Sequence, residues 1–210
     1  LDEMNEIIEV FSVHGSGWKL KRILGSDIRI AKFASLRRGR CFFQLPKDLQ
    51  KKRALVNVKN KDNLCFKYAF LAMAHYKEIT NGKRQLPCYY SAYEKFYNFS
   101  SVLTPPDMKA VAKFEKQNLG KKLAINIFEY FEHHIFIKRV SPYVYDKTFR
   151  CIDLLLVHDD DVAQSHYVGI TSIGRLMGKR NHHKAIFCYT CQNLYGEKKY
   201  LSHKDNCNIH

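Results

Sequence analysis

No apolar run in the 210-residue sequence approaches the roughly 18 residues that a membrane-spanning helix needs. The segment from Leu1 to Glu6 has neither the basic stretch nor the apolar stretch of a secretory signal. We therefore expect a protein without membrane partners, located in the nucleus or the cytoplasm. Because the first residue is not methionine, we also expect the chain to be a fragment of a longer protein.

The seven cysteines are not expected to form disulfides, because these compartments keep thiols reduced. Cys188, Cys191 and Cys207 lie near the C terminus, and the other cysteines are scattered. The 46% hydrophobic content is enough for a core that folds without disulfide bonds. The cysteines therefore point to thiol chemistry or to metal binding.

The charge is strongly unbalanced, with 35 Lys and Arg against 20 Asp and Glu and a net charge of +15. Such an excess attracts polyanions, so nucleic acid is the expected partner, with non-specific DNA binding favoured. The alternative is a lysine-rich surface that only maintains solubility, since the basic residues are spread along the chain.

The pattern predicts an N-terminal basic arm and hairpin over residues 1–53. It contains an amphipathic helix over residues 2–12, a hairpin around Trp18, and a basic connector from Lys32 to Arg53. The connector either contacts phosphates or is an ordinary solvated linker.

A strand, a polar turn and a buried helix are predicted in succession around Cys65. Residues 54–58 are β-prone, Asp62 and Asn63 are good N-cap residues, and apolar residues then recur at helical spacing. A helix start favours negative charge, so Cys65 is placed where a thiolate nucleophile would be stabilised. A lone cysteine is more often a small buried apolar residue.

The remaining pattern completes an α+β domain over residues 54–178. Helices are predicted over the aromatic-rich segment 86–99 and from residue 104 to about 118, and strands over 124–128, 135–137, 152–157 and 167–170. His166 opens the last strand and is the candidate base for Cys65. The third member of a triad stays open among Asp153, Asp159, Asp160 and Asp161.

The segment DNLCFKYA at residues 62–69 and the dipeptide His166-Tyr167 resemble the motifs of ovarian-tumour (OTU) cysteine peptidases. The resemblance implies a papain-like fold with Cys65 as nucleophile, His166 as general base, and the backbone from Asp62 through Asn63 to Cys65 shaping the oxyanion site. A ubiquitin or peptide substrate would follow. Asn63 stands where the family has glycine, and Val168 stands where it often has Asp or Asn.

A second resemblance covers most of the chain. It is to a region of Maverick/Polinton-type transposon- and virus-derived proteins. The similar segments occur in the same order: Ser16-Gly17-Trp18, residues 56–66, 113–118 and 153–156, and the terminal cysteines. In those proteins the region precedes a protein-primed family B DNA polymerase, which is absent from these 210 residues. The resemblance implies a replication context.

The pattern Cys188-x2-Cys191-x11-His203-x3-Cys207 predicts a small ββα zinc finger over residues 185–210. Two thiolates come from the knuckle, and a helical i, i+4 pair brings two further ligands to one face. Phe187, Tyr195 and Leu201 are expected to form its small core, and His210 is a substitute ligand.

Two functions remain open from the sequence. The first is an OTU-like thiol peptidase, active or an inactive relic, fused to a zinc finger. The second is a non-enzymatic, zinc-dependent nucleic-acid-binding accessory module of a DNA polymerase.

Overall fold

The structure is a computed structural model that describes residues 42–102, 106–159, 164–178, 185–204 and 207. By its internal contacts the chain divides after residue 33, and all described residues belong to the second unit, Ala34–His210. The helix predicted over residues 2–12 and the hairpin predicted around Trp18 lie outside the described residues.

The described residues form six α-helices and seven strands. They are α1 (Lys47–Lys52), β1 (Leu55–Val56), α2 (Cys65–Ala74), α3 (Ser91–Glu94), α4 (Met108–Gln117), β2 (Leu123–Phe131), β3 (His134–Arg139), β4 (Arg150–Asp159), β5 (Gln164–Ile170), α5 (Ile173–Met177), β6 (Ile186–Phe187), β7 (Leu194–Tyr195) and α6 (Glu197–Lys204). None of these helices is long and apolar enough to cross a membrane.

A five-stranded mixed sheet in the order β1-β5-β4-β2-β3 forms the centre of the fold. The β2–β4 pair is parallel, and the other neighbouring strands are antiparallel. The predicted central strand is confirmed, because residues 154–157 lie in β4 and are buried on both faces. The α+β class is confirmed by this mixed sheet and its flanking helices.

Two apolar clusters cover the two faces of the sheet. The first contains Phe70 of α2, Phe114 of α4 and Tyr167 of β5. The second contains Leu49 of α1 and Val168 of β5. Since successive side chains of a strand point to opposite faces, the clusters show which side each residue of β5 takes.

Close packing of α2 on β5 depends on Gly169. A Cβ atom at this position would lie 2.6 Å from Met73 Cε and 2.8 Å from Met73 Cγ. Real Cβ atoms do not approach carbon this closely, so glycine lets the helix lie against the strand. Met73 belongs to α2, so this is one of the contacts between the helix of Cys65 and the strand that carries His166.

Three predictions of local structure are corrected. The helix predicted over 86–99 is a 3-10 turn at Pro87–Tyr89 followed by the short α3, because Pro87 starts a new turn and the Tyr90 hydroxyl binds the Arg84 carbonyl at 2.5 Å. The connector before Arg53 contains α1, whose Leu49 is buried. The β-prone segment 54–58 forms only the two-residue β1.

Candidate thiol site and candidate metal centre

Helix α2 begins at Cys65, as predicted. Its N-cap residue is Leu64, which makes no side-chain cap, so the predicted N-cap role of Asp62 and Asn63 is not observed. Instead Asp62 fixes the preceding turn: its Oδ1 accepts the Leu64 N–H at 3.1 Å, and its Oδ2 accepts the Tyr68 hydroxyl at 3.2 Å. The turn presents Cys65 at the first helical position.

The Cys65 thiol is enclosed, with 1% of the residue exposed. Burial raises its pKa to about 11, although backbone hydrogen bonds from Tyr167 and Phe66 act in the opposite direction. The thiol is therefore protonated at neutral pH in this state. Its sulfur lies against the backbone of β5 at the residue that follows His166.

His166 lies on β5 opposite Val157, and 1% of it is exposed. Its Nε2 is 2.9 Å from Asn57 Oδ1. The Asn57 amide is oriented by its Nδ2, which donates to the Phe43 carbonyl at 2.9 Å. Asn57 Oδ1 is therefore the acceptor, His166 Nε2 carries the hydrogen, and in the neutral ring Nδ1 is the basic nitrogen.

Cys65 contacts β5 at Tyr167, next to His166, but the Cys65 and His166 side chains face opposite sides of the sheet. Tyr167 faces α2, whereas the His166 ring packs edge-on against Phe43, with 5.3 Å between ring centroids. β1 pairs with β5 only at Gly169 and Ile170, so no strand of the described residues covers the β5 edge beside His166. The sulfur and the ring approach that edge from its two sides.

Asn63, which stands where the similar OTU motif has glycine, is exposed and does not have a positive φ angle. The replacement of glycine therefore causes no backbone strain at this turn. Among the acid candidates, Asp153 is hydrogen bonded at 2.9 Å to both Asn126 and Tyr189, and so does not orient His166. Asp160, Asp161 and the side chain of Asp159 lie outside the described residues.

Asn57 is the site residue that sequence reasoning missed. It follows β1 directly and contacts a histidine 109 residues later. The only available signal was a polar amide at the end of a β-prone segment next to the predicted nucleophile.

The predicted ligands Cys188, Cys191, His203 and Cys207 come together and could hold a metal ion. All four ligand atoms lie within 4.8 Å of one another. Cys188 Sγ is 3.7 Å from Cys207 Sγ, and Cys191 Sγ is 3.3 Å from His203 Nε2. The paired strands β6 and β7 present the knuckle and α6 presents His203, while His210 lies outside the described residues.

The local contacts stabilise a thiolate at Cys191. Burial raises its pKa, but hydrogen bonds from the Tyr195 hydroxyl and the Asn193 backbone outweigh this and lower it to about 6. Tyr195 also stacks on His203, with 4.0 Å between ring centroids. Leu201 is 63% exposed and not part of the predicted small core, because it lies on the outer side of α6.

The finger packs on the second face of the sheet. The Tyr189 hydroxyl donates to Asp153 Oδ1 at 2.9 Å, and Phe187 packs edge-on against Phe128 with 5.8 Å between centroids. Tyr189 lies between two metal ligands. The hydrogen bond from Tyr189 thus attaches the knuckle to the central strand β4.

No protein family, curated protein or solved structure matches the chain.

Proposed function

We propose that the protein is a papain-like, OTU-like thiol hydrolase in which Cys65 is the nucleophile, His166 the general base and Asn57 the group that orients the base. The hydrogen bond between Asn57 Oδ1 and His166 Nε2 is the observation that carries this proposal. Papain-like peptidases use a Cys-His-Asn set in these roles.

The chemistry follows from the tautomer that Asn57 imposes. His166 Nδ1 takes the proton from Cys65 Sγ, and the sulfur attacks the carbonyl carbon of an amide. The oxyanion is stabilised by N–H groups at the start of α2, and His166 then returns the proton to the leaving amine. A water molecule, deprotonated by His166, hydrolyses the thioester and restores the thiol. Asp62 and Asn63 shape the turn and do not react.

Substrate binding must open the site, because both reacting side chains are buried. The cover on the histidine side is Phe43, whose carbonyl is held by Asn57. The Cys65 side chain and the His166 ring lie on opposite faces of the sheet, so catalysis would require the Phe43 segment and this end of β5 to move until the sulfur reaches the ring. A chain in which this movement does not occur would be an inactive relic of the same fold.

Hydrolysis of a fluorogenic ubiquitin or peptide amide tests the proposal. Cys65→Ala should reduce turnover to background, and His166→Ala should reduce it by about 100-fold or more. Asn57→Ala should lower turnover more than Asn57→Asp, which keeps an acceptor for Nε2. Cys88→Ala, at an exposed cysteine, is the control and should be as active as wild type. Equal turnover by wild type and Cys65→Ala contradicts the proposal.

A second candidate is a non-enzymatic, zinc-dependent nucleic-acid-binding module of a transposon-type replication protein. The net charge of +15 and the ligand cluster at the C terminus favour it. Three thiolates and one imidazole suit a tetrahedral structural zinc ion. Binding to DNA or RNA should weaken steeply as salt is raised, and salt-insensitive binding would contradict this candidate.

A further inference from the structure

Helix α4 presents a solvent face that is entirely basic or neutral. At 100° per residue, Lys109, Lys113 and Lys116 fall within about 60° of one another, and all three are exposed. Val111 and Phe114 lie on the opposite, buried side. The three ammonium groups therefore form one stripe about 10 Å long, roughly the length of three nucleotides at about 3.4 Å each.

Three carboxylates lie near the stripe. Asp107 is exposed at the N-cap of α4, where its Oδ1 accepts the Ala110 N–H at 2.7 Å. Glu115 points into the protein, is 3% exposed, and binds Arg139 Nη2 at 2.6 Å. Glu94, at the end of α3, forms an ion pair with Lys67, with 2.9 Å between Glu94 Oε1 and Lys67 Nζ. Glu115 and Glu94 are thus paired with other cations, and Asp107 is the one exposed carboxylate at the start of α4.

At the C-terminal end of α4 the stripe runs into a cleft with an exposed aromatic ring. Phe96 is 48% exposed, and the ammonium groups of Lys95 and Lys121 lie 5.4 Å and 5.9 Å from its ring centroid. Gln117, one residue beyond Lys116, connects the cleft to the stripe, and no acidic residue is among the described residues that line it. The lining residues are Lys95, Phe96, Tyr97, Asn98, Phe99, Gln117, Asn118, Gly120 and Lys121.

The cleft is held open by hydrogen bonds between its walls. Asn118 Oδ1 accepts the Asn98 N–H at 2.8 Å, and Asn118 Nδ2 donates to the Asn98 carbonyl at 3.1 Å. The α4 end and the loop that carries Phe96 therefore keep a fixed spacing. A ligand would find the ring and both lysines already in place.

We propose that single-stranded nucleic acid binds along the lysine stripe and stacks one base on Phe96. This rests on the second candidate function and gives it a location. Phosphates contact Lys109, Lys113 and Lys116, and the Phe96 ring with its two lysines receives an unstacked base. A duplex keeps its bases stacked, so it can use only the stripe.

Fluorescence anisotropy with labelled oligo(dT) and with a duplex of equal length tests the proposal on the full chain. The stripe variant is Lys109→Gln, Lys113→Gln, Lys116→Gln. Its matched control is Lys77→Gln, Lys83→Gln, Lys147→Gln, at three exposed lysines outside both the stripe and the basic connector, with the same change of charge. Phe96→Leu removes the ring but keeps an apolar side chain. Circular dichroism checks that each variant folds.

We expect the stripe variant to reduce the slope of log K against log salt by about 2 for oligo(dT), while the control changes it less. Phe96→Leu should weaken oligo(dT) binding about tenfold and leave the duplex unchanged. Equal losses in the stripe and control variants would overturn this location but leave nucleic-acid binding in place. Unchanged oligo(dT) affinity in Phe96→Leu would overturn the stacking contact. No binding by wild type would overturn the second candidate function itself.

Discussion

Cys65 and Cys191 carry the same side chain in two opposite electrostatic environments. Cys65 receives backbone hydrogen bonds at a helix start, yet burial in an apolar cluster raises its pKa to about 11. Cys191 is half-buried, and the Tyr195 hydroxyl and the Asn193 backbone lower its pKa to about 6. A position at a helix start therefore does not by itself lower the pKa of a cysteine thiol. The degree of burial decides whether the hydrogen-bond donors around the sulfur lower the pKa overall.

The largest expected effect concerns the metal centre. Chelation, or Cys188→Ser, should unfold the finger, because structural zinc contributes about 10 kcal/mol or more to the folding of such fingers. The measurement is metal content, with about one zinc ion per native chain, together with near-ultraviolet circular dichroism. Acidification should release the ion as the thiolate ligands are protonated. Cys88→Ser is the control; retention of the ion by Cys188→Ser would contradict the assignment.

The second effect concerns the reactivity of Cys65 toward a small neutral alkylating agent. A pKa of about 11 instead of 9.0 leaves roughly one hundredth of the usual thiolate at neutral pH. Alkylation of Cys65 should therefore be at least about 100-fold slower than that of the exposed Cys88.

The direction of the pH dependence is fixed by the raised pKa. The alkylation rate of Cys65 should rise about tenfold per pH unit and level off only near pH 11. Mass spectrometry of peptides from time courses measures both sites together. A Cys65 rate that levels off near neutral pH would show a preformed thiolate and remove the contrast with Cys191.

A third change tests whether α2 must lie against β5. Gly169→Ala would place a methyl group within 2.6 Å of Met73 Cε, so the Met73 side chain must move, at a cost of about 1–3 kcal/mol. Chemical denaturation measures the loss. Gly120→Ala is the matched control, since no atom lies within 4 Å of its added Cβ. Equal stability of the two variants would show that the Met73 contact does not hold the helix.

The smallest effect is expected at the turn before Cys65. Asp62→Ala removes the acceptor for Leu64 N–H and the Tyr68 hydroxyl, and should cost about 1 kcal/mol of unfolding free energy. Asn63→Gly should change stability by less than about 1 kcal/mol, because Asn63 does not adopt a positive φ angle. A large gain in Asn63→Gly would indicate strain at this turn.

Local patterns predicted much of the framework. The start of α2 at Cys65, the central strand at residues 154–157 and the strand of His166 follow from periodicity, and the convergence of the metal ligands follows from their spacing. Asn57 could not be predicted, since its contact with His166 depends on how β1 pairs with β5. The closure of the thiol site likewise depends on Phe43, whose position is set by tertiary packing.

The most direct test of the proposed catalytic residues is covalent labelling. The probe is ubiquitin or a peptide that carries a thiol-reactive group in place of the carbonyl that Cys65 would attack. Intact mass and peptide mapping should show one adduct on Cys65, absent in Cys65→Ala and strongly slowed in His166→Ala. Cys88, although exposed, should remain unlabelled at the same probe concentration. An adduct on Cys88 with none on Cys65, or equal labelling of wild type and Cys65→Ala, would contradict a hydrolase built on Cys65, His166 and Asn57.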